Sequence, residues 1–181
     1  MHHRAITLAI AVAVTIAVGC KKDSTTAPVA AVTPVTPAAP VNKSVTFKAT
    51  MNGANEVPAN SSTGSGTFTA TLDTVTNIFT YDITFSGLTS NVSNGHIHGP
   101  ATATASVGTT INFNTLAGAS FSFGQTSGTA HGISVLNASN QITAAMNGDS
   151  LRKILFAGLT YANIHTTANP GGEIRGQIIK Q

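Results

Sequence analysis

Phe79-Thr-Tyr-Asp-Ile-Thr-Phe85, "FTYDITF", sets apolar side chains at 79, 81, 83 and 85 and polar ones at 80, 82 and 84. An extended chain turns successive side chains to opposite faces, so this run reads as a strand with one dry and one wet face. A helix would scatter the same four groups around its circumference. The pattern spreads outward from there. Phe68, Ala70 and Leu72 alternate with Thr67, Thr69 and Thr71, and Val45, Phe47, Ala49 and Met51 with Thr46, Lys48 and Thr50. Further runs at 92–98, 107–113, 119–124, 128–135, 159–165 and 173–179 lie between Gly/Ser/Asn-rich breaks. Eight or nine such strands predict an all-β domain, an Ig-like or Greek-key antiparallel β-sandwich or barrel. One segment departs from the rhythm. In "NGDSLRKILFAG", Asp149 or Ser150 can cap a short helix whose Leu151, Ile154 and Leu155 share a face and which Gly158 ends, a plug or crossover on the sheet.

Only 8 % of the 181 residues are charged. From Asn42 onward the cations are Lys43, Lys48, Arg152, Lys153, Arg175 and Lys180, and the anions Glu56, Asp73, Asp82, Asp149 and Glu173. That near-balance lacks the dense basic stripe by which a protein displaces counterions from nucleic acid, so no nucleic-acid partner is expected.

The N-terminus reads differently. Arg4 precedes an uncharged apolar run, Ala5 to Gly19, followed by Cys20-Lys21-Lys22-Asp23. As a helix it would reach roughly 22 Å, short of a hydrocarbon core of about 30 Å, so 1–19 reads as an export signal rather than a span. Ile16-Ala17-Val18-Gly19-Cys20 resembles a bacterial lipobox, with Ala17 where Leu is usual. By that resemblance Cys20, the single cysteine of the chain, is lipidated and anchors the protein to a membrane. Lys21 after it implies delivery to the outer membrane of the cell envelope, on its periplasmic side or its surface. Residues 20–42 then form a Pro/Thr/Ala-rich tether, with prolines at 28, 34, 37 and 40, able to reach about 60 Å as polyproline II. Residues 43–181 read as one domain.

Three blocks carry a family resemblance: "ATMNGANEVPANSSTGSGTFTATLD", "YDITFSGLTSNVSNGHIHGPA" and "AGLTYANIHTTANPGGEIRGQI". They resemble the signature blocks of the CHRD domain, found in chordin and in secreted bacterial proteins, over Val45 to Ile179. The resemblance implies an Ig-like β-sandwich or barrel, usually outside the cell, and does not imply a defined activity. Residues 102–145 contribute little to it.

Parity inside those blocks marks a candidate site. Ile97, Ile164, Ile174 and Ile178 take the apolar parity, so His96, His98, His165, Glu173, Arg175 and Gln177 turn to the opposite face. If their strands are neighbours, three imidazoles gather beside a carboxylate and a guanidinium, with Glu56 of "NEVP" near them. His96 and His98 stand about 6.5–7 Å apart along a strand, close enough to share one metal with His165 as third ligand, Cu or Zn by donor chemistry. The arrangement looks like copper-zinc superoxide dismutase, and that likeness would make the three histidines copper ligands and Arg175 a guide for an anion. It does not extend to a two-metal dismutase, because only His131 lies between His98 and His165 and the dismutase cysteines are absent. The alternative is structural: the histidines hydrogen-bond to neighbouring strands, and Glu173 pairs with Arg175. His131 is expected at the surface or in a loop.

No Gly-x-Ser-x-Gly elbow, Walker loop or His-Glu-x-x-His motif is present, and the five carboxylates are scattered. The expectation is therefore a lipid-anchored, non-catalytic binding or structural module at the cell envelope, with no certain cofactor. A three-histidine metal protein is the alternative. An envelope or extracellular protein or glycan is the third class of ligand, and it would call for exposed Tyr or Phe at the loop ends.

Overall fold

The computed structural model describes residues 43–181 apart from 117, 140 and 145, together with Gly19. The expected signal, Cys20 and the tether lie outside the described residues. In chain order the elements are β1 (Ser44–Asn52), a 3-10 turn (Gly53–Asn55), β2 (Ser65–Asp73), β3 (Ile78–Ser86), β4 (Val92–His98), β5 (Thr109–Asn112), β6 (Ser120–Phe121), β7 (Gly128–Val135), β8 (Gln141–Thr143), β9 (Met146–Asn147), α1 (Gly148–Phe156), β10 (Thr160–Thr166) and β11 (Ile174–Lys180). No helix among the described residues is long and apolar enough to cross a membrane.

Nine strands form one antiparallel sheet in the order β5-β4-β10-β11-β1-β2-β3-β7-β6, and β8 and β9 pair separately. The apolar parity of each strand faces inward: Phe47, Met51, Phe68, Leu72, Phe79, Tyr81, Ile83, Ile97, Ile164, Ile174 and Ile178 are all at most 1 % exposed. Burying each such side chain stabilises the fold by roughly 1.5–3 kcal/mol, and that burial pins the register, since a one-residue slip would turn a whole strand's apolar set outward.

The sheet curls rather than splitting into two layers, so the barrel-like form of the expectation is the one found, as a half-barrel. The start of β4 is tied to the turn before β7 by Val92 N–H to Gln125 O (2.9 Å) and Gly124 N–H to Val92 O (3.0 Å). Phe113, just past β5, reaches Tyr81 of β3 with ring centres 5.0 Å apart. Gly132 makes room for this, because a Cβ there would lie 2.4 Å from the Tyr81 hydroxyl.

The helix begins earlier than Asp149 or Ser150. Asn147 is the cap, extended at φ −94°, ψ 174°, and its side chain accepts the Ser150 N–H at 3.0 Å. Strand β9 runs straight into the helix, so the last extended residue takes the capping role. Asp149 falls in the first turn instead, where it suits the helix dipole. Leu151 and Leu155 are buried, Ile154 packs against the core, and Gly158 leaves at φ +67°. Two expected strands shorten, 107–113 to Thr109–Asn112 and 119–124 to Ser120–Phe121, and the short β8 and β9 were not foreseen.

Candidate functional site

Strands β4, β10 and β11 are neighbours, which brings the histidines together on the outer face. His96 stands opposite Asn163, His98 opposite Tyr161 and His165 opposite Asn94. One ring nitrogen from each of His96, His98 and His165 lies within 4.8 Å of the other two. His96 Nδ1 is 3.0 Å from His165 Nε2. Long loops cover this face, and so β10 is buried on both sides, with His98 only 8 % exposed and His96 and His165 half-buried.

The loop carbonyls decide which nitrogen of each ring is free. His98 Nδ1 is 2.9 Å from Val107 O, and His165 Nδ1 is 2.9 Å from Pro170 O. A carbonyl can only accept, so both Nδ1 atoms carry the proton and both Nε2 atoms keep a lone pair. His98 Nε2 is buried and has no hydrogen-bond partner. Burial, reinforced by the charges of its two neighbours, pushes His96 down to about 4, and burial also lowers His98 and His165. All three rings are neutral at pH 7, the form in which imidazole binds a metal.

Beside the triad runs a stack across three strands. The His98 and Tyr161 rings lie parallel, 5° apart in plane with centres 4.7 Å apart, and the Arg175 guanidinium carbon sits 3.4 Å from the centre of the Tyr161 ring. Arg175 is 1 % exposed and donates to Thr102 O (3.1 Å), Ala105 O (2.7 Å) and Ser106 Oγ (3.3 Å). Its N–H groups hold the β4–β5 loop, which corrects its reading as an anion guide. Gln177 holds the same loop at Ala101 O and the helix end at Gly158 O.

Glu56 does come close. Its Oε1 accepts Asn163 Nδ2 at 2.8 Å, and burial raises it to about 7 against the Arg175 charge and its own hydrogen bonds. A cavity of about 420 Å³ opens here between Glu56, Val57, Pro58, Thr104, Arg175 and Gln177. Gly172, at φ +130°, closes the other side, where a Cβ would lie 2.7 Å from Glu56 Oε1.

Glu173 belongs elsewhere. It is fully buried and makes no ion pair with Arg175; among the described residues the ion pair is His131 with Asp82 at 2.8 Å, on the outside of β7. Its carboxylate accepts Ser62 Oγ, Thr89 N–H and Thr166 Oγ1 at 2.6 Å each and Asn169 Nδ2 at 3.2 Å. Burial alone would raise its pKa, but these donors hold it below the usual carboxylate range. Parity failed here because β11 starts only at Ile174, after the turn at Gly172.

Tyr161 and Asn163 were missed, although in "TYANIHT" they share the parity of His165 and could have been placed on its face. The orienting carbonyls of Val107 and Pro170 leave no such signal. Phe123 and Phe156 are 42 % and 36 % exposed. A family model described as "CHRD domain" matches residues 47–178. No curated protein and no solved structure matches the chain.

Proposed function

The chain belongs to the CHRD domain family, and from that premise we propose an exported, lipid-anchored module at the cell envelope whose His96, His98 and His165 bind one transition-metal ion. The CHRD domain is a binding or structural module, and the triad supports binding. The observation that carries this reading is the pair of outer hydrogen bonds to Val107 O and Pro170 O, which leave the Nε2 lone pairs of His98 and His165 unprotonated, the first buried without a partner and the second 3.0 Å from His96 Nδ1. Buried polar atoms are rarely left unsatisfied, and a metal-binding histidine characteristically donates its other ring N–H to a carbonyl or carboxylate.

Tetrahedral Zn–N bonds of about 2.0–2.1 Å place ligand nitrogens about 3.4 Å apart. The three nitrogens here are at most 4.8 Å apart, so closing the widest gap takes about 1.4 Å of side-chain movement. Neutral imidazoles suit Zn²⁺ and Cu²⁺ alike. Elemental analysis of untagged protein, with Zn²⁺ and Cu²⁺ titration, tests the reading: one ion per chain supports it, and negligible binding refutes it. Mass spectrometry of Cys20 tests the anchor.

One contact favours a second reading, that the triad only holds strands in register. His96 Nδ1–H can donate to His165 Nε2 at 3.0 Å without any ion. Under that reading the titration shows no binding while His96→Ala still destabilises the fold.

A further inference from the structure

We propose that the α1 end of the half-barrel is a docking surface for anionic lipid headgroups. Of the six Lys and Arg residues from 43 onward, Arg175 is buried in the site described above. The other five, Lys43, Lys48, Arg152, Lys153 and Lys180, all reach solvent; four of them sit at one end of the sheet, and Lys48 lies midway along β1, level with Asp82. Lys43 leads into β1, its carbonyl accepting Thr74 N–H at 3.1 Å. Phe47 pairs with Lys180 and Lys48 with Ile179. Lys180 Nζ and Arg152 Cζ lie 5.3 and 5.7 Å from the centre of the Phe156 ring, which meets Phe47 edge-on at 5.5 Å. Asp149, Arg152, Lys153 and Phe156 line a groove of about 360 Å³.

Only two acids share this end, Asp149 and Asp73, the latter opposite Ser44. Glu56 and Glu173 lie buried at the far end, and Asp82 is taken up by His131 in mid-sheet. Exposed apolar groups accompany the cations: Phe156 is 36 % and Ile179 48 % exposed. Cations around partly exposed apolar side chains are what a headgroup layer receives, phosphates outside and acyl carbons beneath. Residues 1–42 join the domain at this same end, where β1 begins. The charge pattern stands on its own, while the nearness of a bilayer rests on the anchored reading. With this end on the surface, Arg175, level with His96 of the triad, lies five residues back along β11 from Lys180, about 17 Å from it.

The experiment uses the full chain purified from the envelope, on vesicles of phosphatidylcholine alone or with phosphatidylglycerol, read by amide hydrogen exchange. Flotation on the neutral vesicles reports the anchor by itself, so a failed anchor and a failed surface are told apart. The expected result is slowed exchange over 149–158 on the anionic vesicles only, lost in Arg152→Glu/Lys153→Glu/Lys180→Glu and lost for wild type in 0.5 M NaCl. Equal exchange on both vesicle types, or protection that survives salt, overturns the proposal. So does protection that appears without vesicles and grows with protein concentration, which would assign this end to a second copy of the chain.

Discussion

The Arg175 guanidinium carbon lies 3.4 Å from the centre of the Tyr161 ring, on which the His98 ring also stacks, so a cation, a phenol and an imidazole form one column across β11, β10 and β4. The column is stiff because each end is tied to the same loop: Arg175 to Thr102 O and Ala105 O, His98 to Val107 O. Arg175→Lys keeps the charge but loses the planar guanidinium over the Tyr161 ring and the separate Nη1 donor to Ser106 Oγ. It should cost about 2–4 kcal/mol in urea denaturation, because a buried charge is left poorly paired. A loss under 0.5 kcal/mol would show that the column contributes no rigidity.

Metal affinity should depend on each ring of the triad and on no other histidine of the domain. His96→Ala, His98→Ala and His165→Ala should each lower Zn²⁺ and Cu²⁺ affinity about 100-fold or more in calorimetric titration, since even removing an outer partner of a ligand typically costs 10–100-fold. His131→Ala, on β7 with Asp82, should leave affinity unchanged. If His131→Ala weakens binding as much as the others do, the metal is bound nonspecifically.

How much of this was legible follows from where periodicity exists. The alternation of 79–85 and the runs around it specified the long strands because one face of each is buried, and the same parity brought His96, His98 and His165 to one face. Periodicity is weak between 102 and 128, so β5 and β6 came out too long. The directions of the imidazole rings were out of reach, since they are set by Val107 and Pro170 carbonyls in loops whose shape no repeat encodes. Glu173 was misplaced for a related reason: parity holds only inside a strand, and the chain turns at Gly172.

Glu173→Gln tests that misplaced residue. Its carboxylate meets four donors, and an amide puts an N–H₂ where at least one acceptor is needed. A loss of about 2–4 kcal/mol at pH 7 is expected. The folded pKa is depressed, so the carboxylate's contribution is fully present above its unfolded value and lost as pH falls through the folded one. The variant should therefore lose less than wild type on acidification. Parallel stability curves down to pH 3 would contradict the hydrogen-bonded carboxylate.

Glu56 and His96 tilt stability in opposite directions over overlapping pH ranges. Glu56 is raised from 4.5 to about 7 by burial, so the fold favours its protonated form, and a cost builds as pH rises from 4.5 and is complete above 7. His96 is lowered from 6.5 to about 4, again chiefly by burial. Its neutral form fits the fold without cost above 6.5, and stability drains away below that, as the unfolded chain takes up a proton the folded one resists. Glu56→Gln keeps an acceptor for Asn163 Nδ2 and removes only the ionisation. The variant should exceed wild type by about 1–3 kcal/mol at pH 8, and the gain should shrink below about 1 kcal/mol at pH 5, where Glu56 is protonated in the folded state anyway. Urea midpoints measured between pH 5 and 8.5 read this directly. A gain that stays constant across the range would place Glu56 in a solvated setting and trace the effect to packing, whereas burial of the carboxyl requires the gain to grow with pH.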